Sequence, residues 1–515
     1  MVKTLRFSIS FFLELSFLLC VVLMFCGSVF AEGMTVEEFN ARLEAMEKEN
    51  QELRAQLAQP DSDSMAPSSV SEFPPIPNEE PITGAVTENG TENETQSVLS
   101  PAPNLAISEK EIDQSRAKSV IQNAELEDYG SGMSPWNIRE DDIEKELARY
   151  KGWAWDKNNF TLTPYVWVWV TGTYETNRMF AGDFPLWVRN GEKDKAAYID
   201  AKPTRLGFNL ACPEMACMPG TKITAVFETD FENTYTSENK PDMELRKAYI
   251  QLQNECSMFL FGQTWELISP LYPPTLNWGY GSSAGNFAFR RAQIRYDRYF
   301  KRENGRFAIQ TCLIASQTAN FTDAAIGTTY TGRFGSYPEF QLRFERTFKQ
   351  TDLWKEAMFA VGGKIGEKEY VSADDEFHKT SWAFTADSKI RFNDRFYWMG
   401  ELFVGEAMAI NCAGVMQDLN PQTREKVFSS GGWMAFGWDL TPELHYSIGY
   451  AIDDPENSRL SEGMKSLNHF GFTNISRDIT KQFNAGFEYE YCETEYYQVR
   501  KAHAHLFMIN LLYKL

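Results

Sequence analysis

From Phe160 to the C-terminal Leu515 the chain alternates apolar and polar side chains again and again, and this period of two restricts its fold more than any other feature. Successive side chains of a strand point to opposite faces, so alternation sorts them into one apolar and one polar side. In FAFRRAQIRY, residues 287–296, Arg291, Gln293 and Arg295 fall on one side and Ala292, Ile294 and Tyr296 on the other. A helix would mix the two sets. TKITAVFETDFE places Ile223, Ala225, Phe227 and Phe231 opposite Lys222, Thr224, Glu228, Asp230 and Glu232. EFQLRFE sets Phe340, Leu342 and Phe344 against Gln341, Arg343 and Glu345, and KQFNAGFEYEY sets Phe483, Phe487 and Tyr489 against Asn484, Glu488 and Glu490. About 16 such segments follow one another.

The connections sort by length. Tight turns such as Asn393-Asp394-Arg395 and Thr441-Pro442 alternate with long loops at about 174–196, 264–286, 316–337 and 408–428. A transmembrane barrel has this pattern, with tight turns at the periplasm and long loops outside. A two-layer sandwich would bury the apolar faces, but there are too many strands for one compact sandwich. The apolar faces also carry Phe, Tyr and Trp near their ends, where an aromatic girdle belongs. In hydrocarbon only a closed barrel pairs every strand amide. The expectation is therefore an all-β transmembrane antiparallel barrel over residues 158–515, with its apolar side on lipid and its charged side on a wet lumen. Phe507, Ile509, Leu511, Tyr513 and Leu515 carry the alternation to the chain end, as in the assembly signal of outer-membrane barrels, although that signal usually ends in Phe or Trp.

The residues before the barrel divide into four segments. Residues 1–31 read as an export signal: Lys3 and Arg6, an apolar run from Phe11 to Phe25, then Val29-Phe30-Ala31 at the cleavage site. In residues 34–58, Val36, Phe39, Leu43, Met46, Asn50, Leu53 and Leu57 recur at spacings of three and four, the seam of a coiled coil. The other reading is a lone amphipathic helix, since isolated helices this short are marginal. Residues 59–105, rich in Pro, Ser, Thr and Glu, cannot bury enough apolar surface to offset their ordering entropy and read as a disordered linker. Two short periplasmic helices are expected within 106–157, one starting at Ser134-Pro135.

A formal net charge of -21 argues against nucleic acid as a partner, because phosphate binding needs a basic surface. Of the 8 cysteines, Cys212 and Cys217 lie close enough in sequence to form a disulfide in an oxidising compartment. The remainder show no metal-ligand spacing, and neither a metal nor another cofactor is expected. His503 and His505 share the outward parity, but with no serine beside them and no third ligand they make neither a phospholipase nor a metal site.

Arg205-Leu206-Gly207-Phe208, LRKAYIQL, FGQTW at 261–265 and RRAQIRY occur in an order and spacing that resemble the DcaP-like porins. The resemblance covers roughly residues 160–300 in detail. It implies a homotrimer of 16-stranded barrels in the outer membrane, each with an N-terminal coiled coil, and small hydrophilic solutes that include negatively charged organic acids. In porins of this size the third outer loop narrows the channel. Residues 266–286, with Glu266, Tyr272 and Trp278, are the corresponding candidate here, and an exposed lid or a trimer contact is the alternative. Arg246, Arg291, Arg295 and Arg343 have lumen-facing parity and would favour anions, since guanidinium grips carboxylates through two parallel bonds. Glu228 and Asp230 share that face, so a salt-bridged wall remains open as the other reading. A rival role is structural, a stalked barrel that tethers the membrane to the cell wall.

Overall fold

The computed structural model describes residues 155–157 and 160–515, apart from 183, 192–193, 214–217, 233–241 and 288. The segments expected as export signal, coiled coil, linker and short helices lie outside the described residues, except that Trp155–Lys157 pairs as a short strand with Phe160–Leu162. Pairing thus begins just before the boundary at 158 drawn from the sequence.

The described residues form a closed antiparallel barrel of 16 strands. β1 is Phe160–Glu175 and β2 runs in two pieces, Ala196–Asp200 and Arg205–Cys212, both paired to β1. β3 (Lys222–Asp230), β4 (Glu244–Gln253), β5 (Ser257–Trp265), β6 (Arg290–Arg302), β7 (Gly305–Ile314) and β8 (Glu339–Phe348) follow. Then come β9 (Glu356–Val371), β10 (Glu376–Arg391), β11 (Phe396–Glu406) and β12 (Phe428–Thr441). β13 (Leu444–Pro455), β14 (Lys465–Asp478), β15 (Phe483–Tyr496) and β16 (Ala502–Lys514) complete the wall. Each strand pairs with its sequence neighbours, and β16 closes on β1 through Trp167↔Lys514 to Glu175↔Leu506.

Connections alternate between the rims. At one rim the turns are tight and chemically specified. Asn254 Oδ1 accepts the amides of Cys256 and Ser257, and Asn393 Oδ1 those of Arg395 and Phe396, all at 2.9 Å, so each Asn side chain replaces a backbone acceptor. Gly305, at φ 124°, starts β7 where a Cβ would stand 2.1 Å from the Thr347 carbonyl oxygen. At the other rim lie L1 (176–195), L2 (231–243), L3 (266–289), L4 (315–338), L5 (372–375), L6 (407–427), L7 (456–464) and L8 (497–501). L4 carries a small hairpin, Phe321–Asp323 with Thr328–Arg333, whose second arm pairs with the end of β9.

The outward set is apolar around the barrel. Ile294 is 52% exposed, Phe384 65%, Leu402 64% and Ile509 56%. Aromatic clusters flank this belt: Phe348, Trp354 and Phe359 near the turn rim, Tyr174, Phe507 and Tyr489 toward the loop rim. His503 and His505 are on the outer face near the loop rim, and the His505 ring pairs with the Tyr489 hydroxyl at 2.8 Å.

The inner face departs from a uniformly charged wall around solvent. On the side of β11, β12, β14 and β16 the inward positions include an apolar patch: Tyr397, Met399, Trp433, Ala435, Phe470, Phe472, Leu506 and Met508 are buried in one cluster. They pack against Met179 and Val188 of L1 and Leu271 and Ala284 of L3. Strand parity tells which residues face inward. It does not tell whether they meet water or a returning loop, and here loops fill that space.

Candidate functional site

L3 leaves β5 at Glu266 and turns into the barrel, where residues 273–287 are buried throughout. The wall holds its backbone through side chains from strands far around the circumference. Gln341 Oε1 of β8 accepts the Leu267 amide, Glu401 of β11 the Leu271 amide at 2.7 Å, and Glu488 of β15 the amides of Leu276 at 2.8 Å and Asn277 at 3.1 Å. Carbonyls are taken in turn: Thr385 donates to Ile268, Asn474 to Pro274, Asn510 to Leu276 and Asn468 to Ser283. A loop buried without these partners would leave unpaired amides and carbonyls. Pro270, Pro273 and Pro274 reduce the number of amides that need an acceptor.

Glu266 lies at the base of L3 in a network with four neighbouring elements. Arg291 of β6 grips both of its oxygens at 2.8 Å and reaches Glu339 of β8 at 2.6 Å. Gln341 donates to Glu266 at 2.6 Å and to Glu339 at 2.8 Å, and Lys364 of β9 pairs with Glu339 at 3.0 Å. Asn411 of L6 donates to both Glu266 oxygens at 3.0 and 3.1 Å, while its own oxygen accepts from Lys364.

Trp278 lies deep in the lumen, its ring edge-on to Trp169 of β1 at 4.9 Å. The guanidinium carbons of Arg205 and Arg246 stand over the indole, 4.5 and 4.8 Å from its centroid. Arg246 also pairs with Glu228 at 2.7 Å and Asp230 at 2.5 Å, and Arg205 donates to the Tyr280 hydroxyl at 3.0 Å. Tyr272 is half-buried, 5.2 Å from the Tyr280 ring.

The other two arginines are likewise engaged. Arg343 makes a bidentate pair with Asp387 at 2.6 and 3.0 Å and further bonds to Glu345 and Gln310. Arg295 grips Asp297 at 2.6 and 2.8 Å. All four arginines, expected to line the lumen either as anion-binding charges or in a salt-bridged wall, pair with carboxylates of the wall or of L3. The cause is inward parity shared by both signs, because opposite charges on neighbouring strands with low exposure pair with one another.

Sequence reasoning assigned no role to Arg205, Glu401, Asn468, Asn474, Glu488, Glu490 or Asn510. The parity of KQFNAGFEYEY does place Glu488 and Glu490 inside, but the loop they hold is remote in sequence. Cys212 ends β2, whereas Cys217 lies outside the described residues, and so does the pairing proposed for them. Among the described residues no group of three or more His, Cys, Asp or Glu side chains is arranged to hold a metal.

A barrel of 16 antiparallel strands with an apolar belt outside and an inward third loop is the class that the fold defines. The outer membrane channel DcaP of Acinetobacter baumannii has a similar structure, with a TM-score of 0.57 at 15% identity over 70% of this chain and 99% of that one. OprB of Pseudomonas putida follows at TM-score 0.46 and 9% identity, over 75% of this chain and 99% of that one. An anion-selective porin from Comamonas acidovorans gives 0.44 at 9%, over 69% and 100%. At such identities the likeness is one of fold. No protein-family model matches the sequence, and no curated protein does.

Proposed function

We propose that this chain is an outer-membrane channel for passive diffusion of small hydrophilic solutes, with L3 as its constriction. The outer face carries this reading. Large apolar side chains stand exposed around a barrel that has no free edge, and hydrocarbon is the solvent in which that surface is stable while every strand amide stays paired. The rim with long loops then faces outside and the tight turns face the periplasm. The fold shared with a channel supports the same reading.

The preference for small organic anions implied by the resemblance rests on arginines that are already paired. Arg246, Arg291 and Arg343 are buried, while 17% of the Arg295 side chain is exposed, so we assign any anion preference to Arg295. The homotrimer is a proposal from the sequence resemblance. The stalk at 34–58 and the tether to the cell wall rest on residues outside those described, and no observation favours the tether over transport.

The test is conductance of the purified protein in planar bilayers, for the wild type and for Trp278→Ala, in which L3 loses its anchor. Stepwise current in multiples of three, with a reversal potential in a salt gradient that shifts toward cations in Arg295→Ala, is the expected result. A barrel that is silent in both proteins removes the channel reading.

A further inference from the structure

Resting on the channel reading above, we propose that L6 is a latch that holds L3 across the lumen, so that solute passage requires the two loops to part. In the conformation described, L1 and L3 cover one side of the lumen wall. The inward positions of β14, β15 and β16 are buried along nearly their whole length, and L1 and L3 pack on them as a core would.

L6 also turns inward, and it meets L3 at two places. Asn411 donates to both carboxylate oxygens of Glu266 at the base of L3. At its far end the Ser283 amide donates to the Cys412 carbonyl at 2.9 Å, which brings the Cys412 thiol close to the Ser282 side chain. The wall holds L6 in turn: Asp453 of β13 accepts the Val415 amide at 2.8 Å, and Lys364 of β9 donates to Asn411.

L6 holds this position in a costly backbone conformation. Ala407, Cys412, Val415, Met416 and Arg424 all have left-handed φ, between 48° and 60°, and Ser283 and Tyr280 of L3 stand at 62° and 49°. The hydrogen bond between Ser283 and Cys412 therefore joins two residues that are each in the left-handed region. For β-branched Val415 that region is a true outlier. Side-chain contacts overcome this preference while the loops are together, and release lets the backbone relax. Such stored strain suits an element with two discrete arrangements.

The chemistry predicts variants with opposite effects. Asn411→Ala removes two bonds to a charged acceptor and raises the open fraction about tenfold. Val415→Gly relieves the latched backbone and lowers the open fraction. Ser282→Cys places a second thiol beside Cys412; oxidation then ties L3 to L6 and closes the channel, and a thiol reductant restores the current in the same molecules. Wild-type protein carried through the same oxidation and reduction is the control. Full current in the cross-linked protein, or Asn411→Ala and Val415→Gly shifting the open fraction in the same direction, overturns the latch. If Trp278→Ala conducts while Asn411→Ala behaves as wild type, the latch fails and the channel stands; if neither conducts, both readings fail.

Discussion

Arg291 grips the Glu266 carboxylate with two parallel hydrogen bonds, Nε to Oε1 and Nη2 to Oε2, each 2.8 Å long. One is a strand arginine placed in the lumen by parity, the other the first residue of the loop that crosses it. Their meeting turns a supposed anion site into a brace for L3.

Arg291→Ala leaves Glu266 and Glu339 buried together without that guanidinium. Breaking one partner of a buried pair costs about 3–5 kcal/mol, because the remaining charge is uncompensated. Urea unfolding from lipid vesicles reads this loss. A change within about 0.5 kcal/mol, typical of ordinary surface substitutions, would mean that the pair is solvated.

Leu402→Arg tests the outer belt. Leu402 is 64% exposed on the face opposite Phe403 and Glu401. An arginine at the middle of the bilayer costs about 2–4 kcal/mol, less toward the interfaces. If that face met water, the same substitution would be nearly neutral. Unfolding from vesicles, compared between Leu402→Arg and Leu353→Arg in the turn-rim connection, separates the two cases.

Trp278→Ala removes the indole beneath Arg205 and Arg246. Desolvated cation–π contacts are worth about 2 kcal/mol or more. L3 is expected to become cleavable by limited proteolysis at Tyr280, a site that is covered in the wild type. Unchanged protection would show that the carboxylates of Glu401 and Glu488 hold the loop without it.

L4, L5 and L6 are tied at the loop rim by Arg424, which pairs with Asp323 and, at 3.0 Å, with Asp375. The Arg424 hydrogen bond holds the Asp323 carboxyl below the usual range, and the Tyr330 hydroxyl followed by Arg424 does the same for Asp375. Because the folded values are depressed, the contribution is complete above the unfolded aspartate value of about 3.9 and is lost as pH falls through the lower folded values. Protection of the hairpin 321–333 against hydrogen exchange, taken relative to the intrinsic rate at each pH, should therefore fall in acid, and Asp323→Asn should show the lower protection already at neutral pH. Equal exchange in both proteins at pH 7 would show that the clip does not order the hairpin.

Parts of this arrangement are legible before folding. Residues two apart on a strand share a face, so Arg295 with Asp297 and Arg343 with Glu345 are foreseeable pairs. Arg343 with Asp387 and Arg291 with Glu339 are not, because they depend on register between strands. The bonds from Thr275 to Glu488 and from Leu276 to Glu488 span 213 and 212 residues of chain. No local pattern marks such contacts. The inward Phe470 and Phe472 could have been noticed as apolar on the wrong face, a sign that something other than water would cover them.

The amino-acid order by itself determined which side chains share a face, where the strands begin and turn, and that the result is a closed barrel with an apolar exterior. These follow from the alternation of side chains along extended backbone and from the need to pair every strand amide. Only the tertiary structure decided what fills the interior, which carboxylate neutralises each arginine, and that L3 and L6 meet over Glu266. Those depend on where connections of some length settle and on register across the sheet, contacts between residues far apart in the chain that no short-range periodicity encodes.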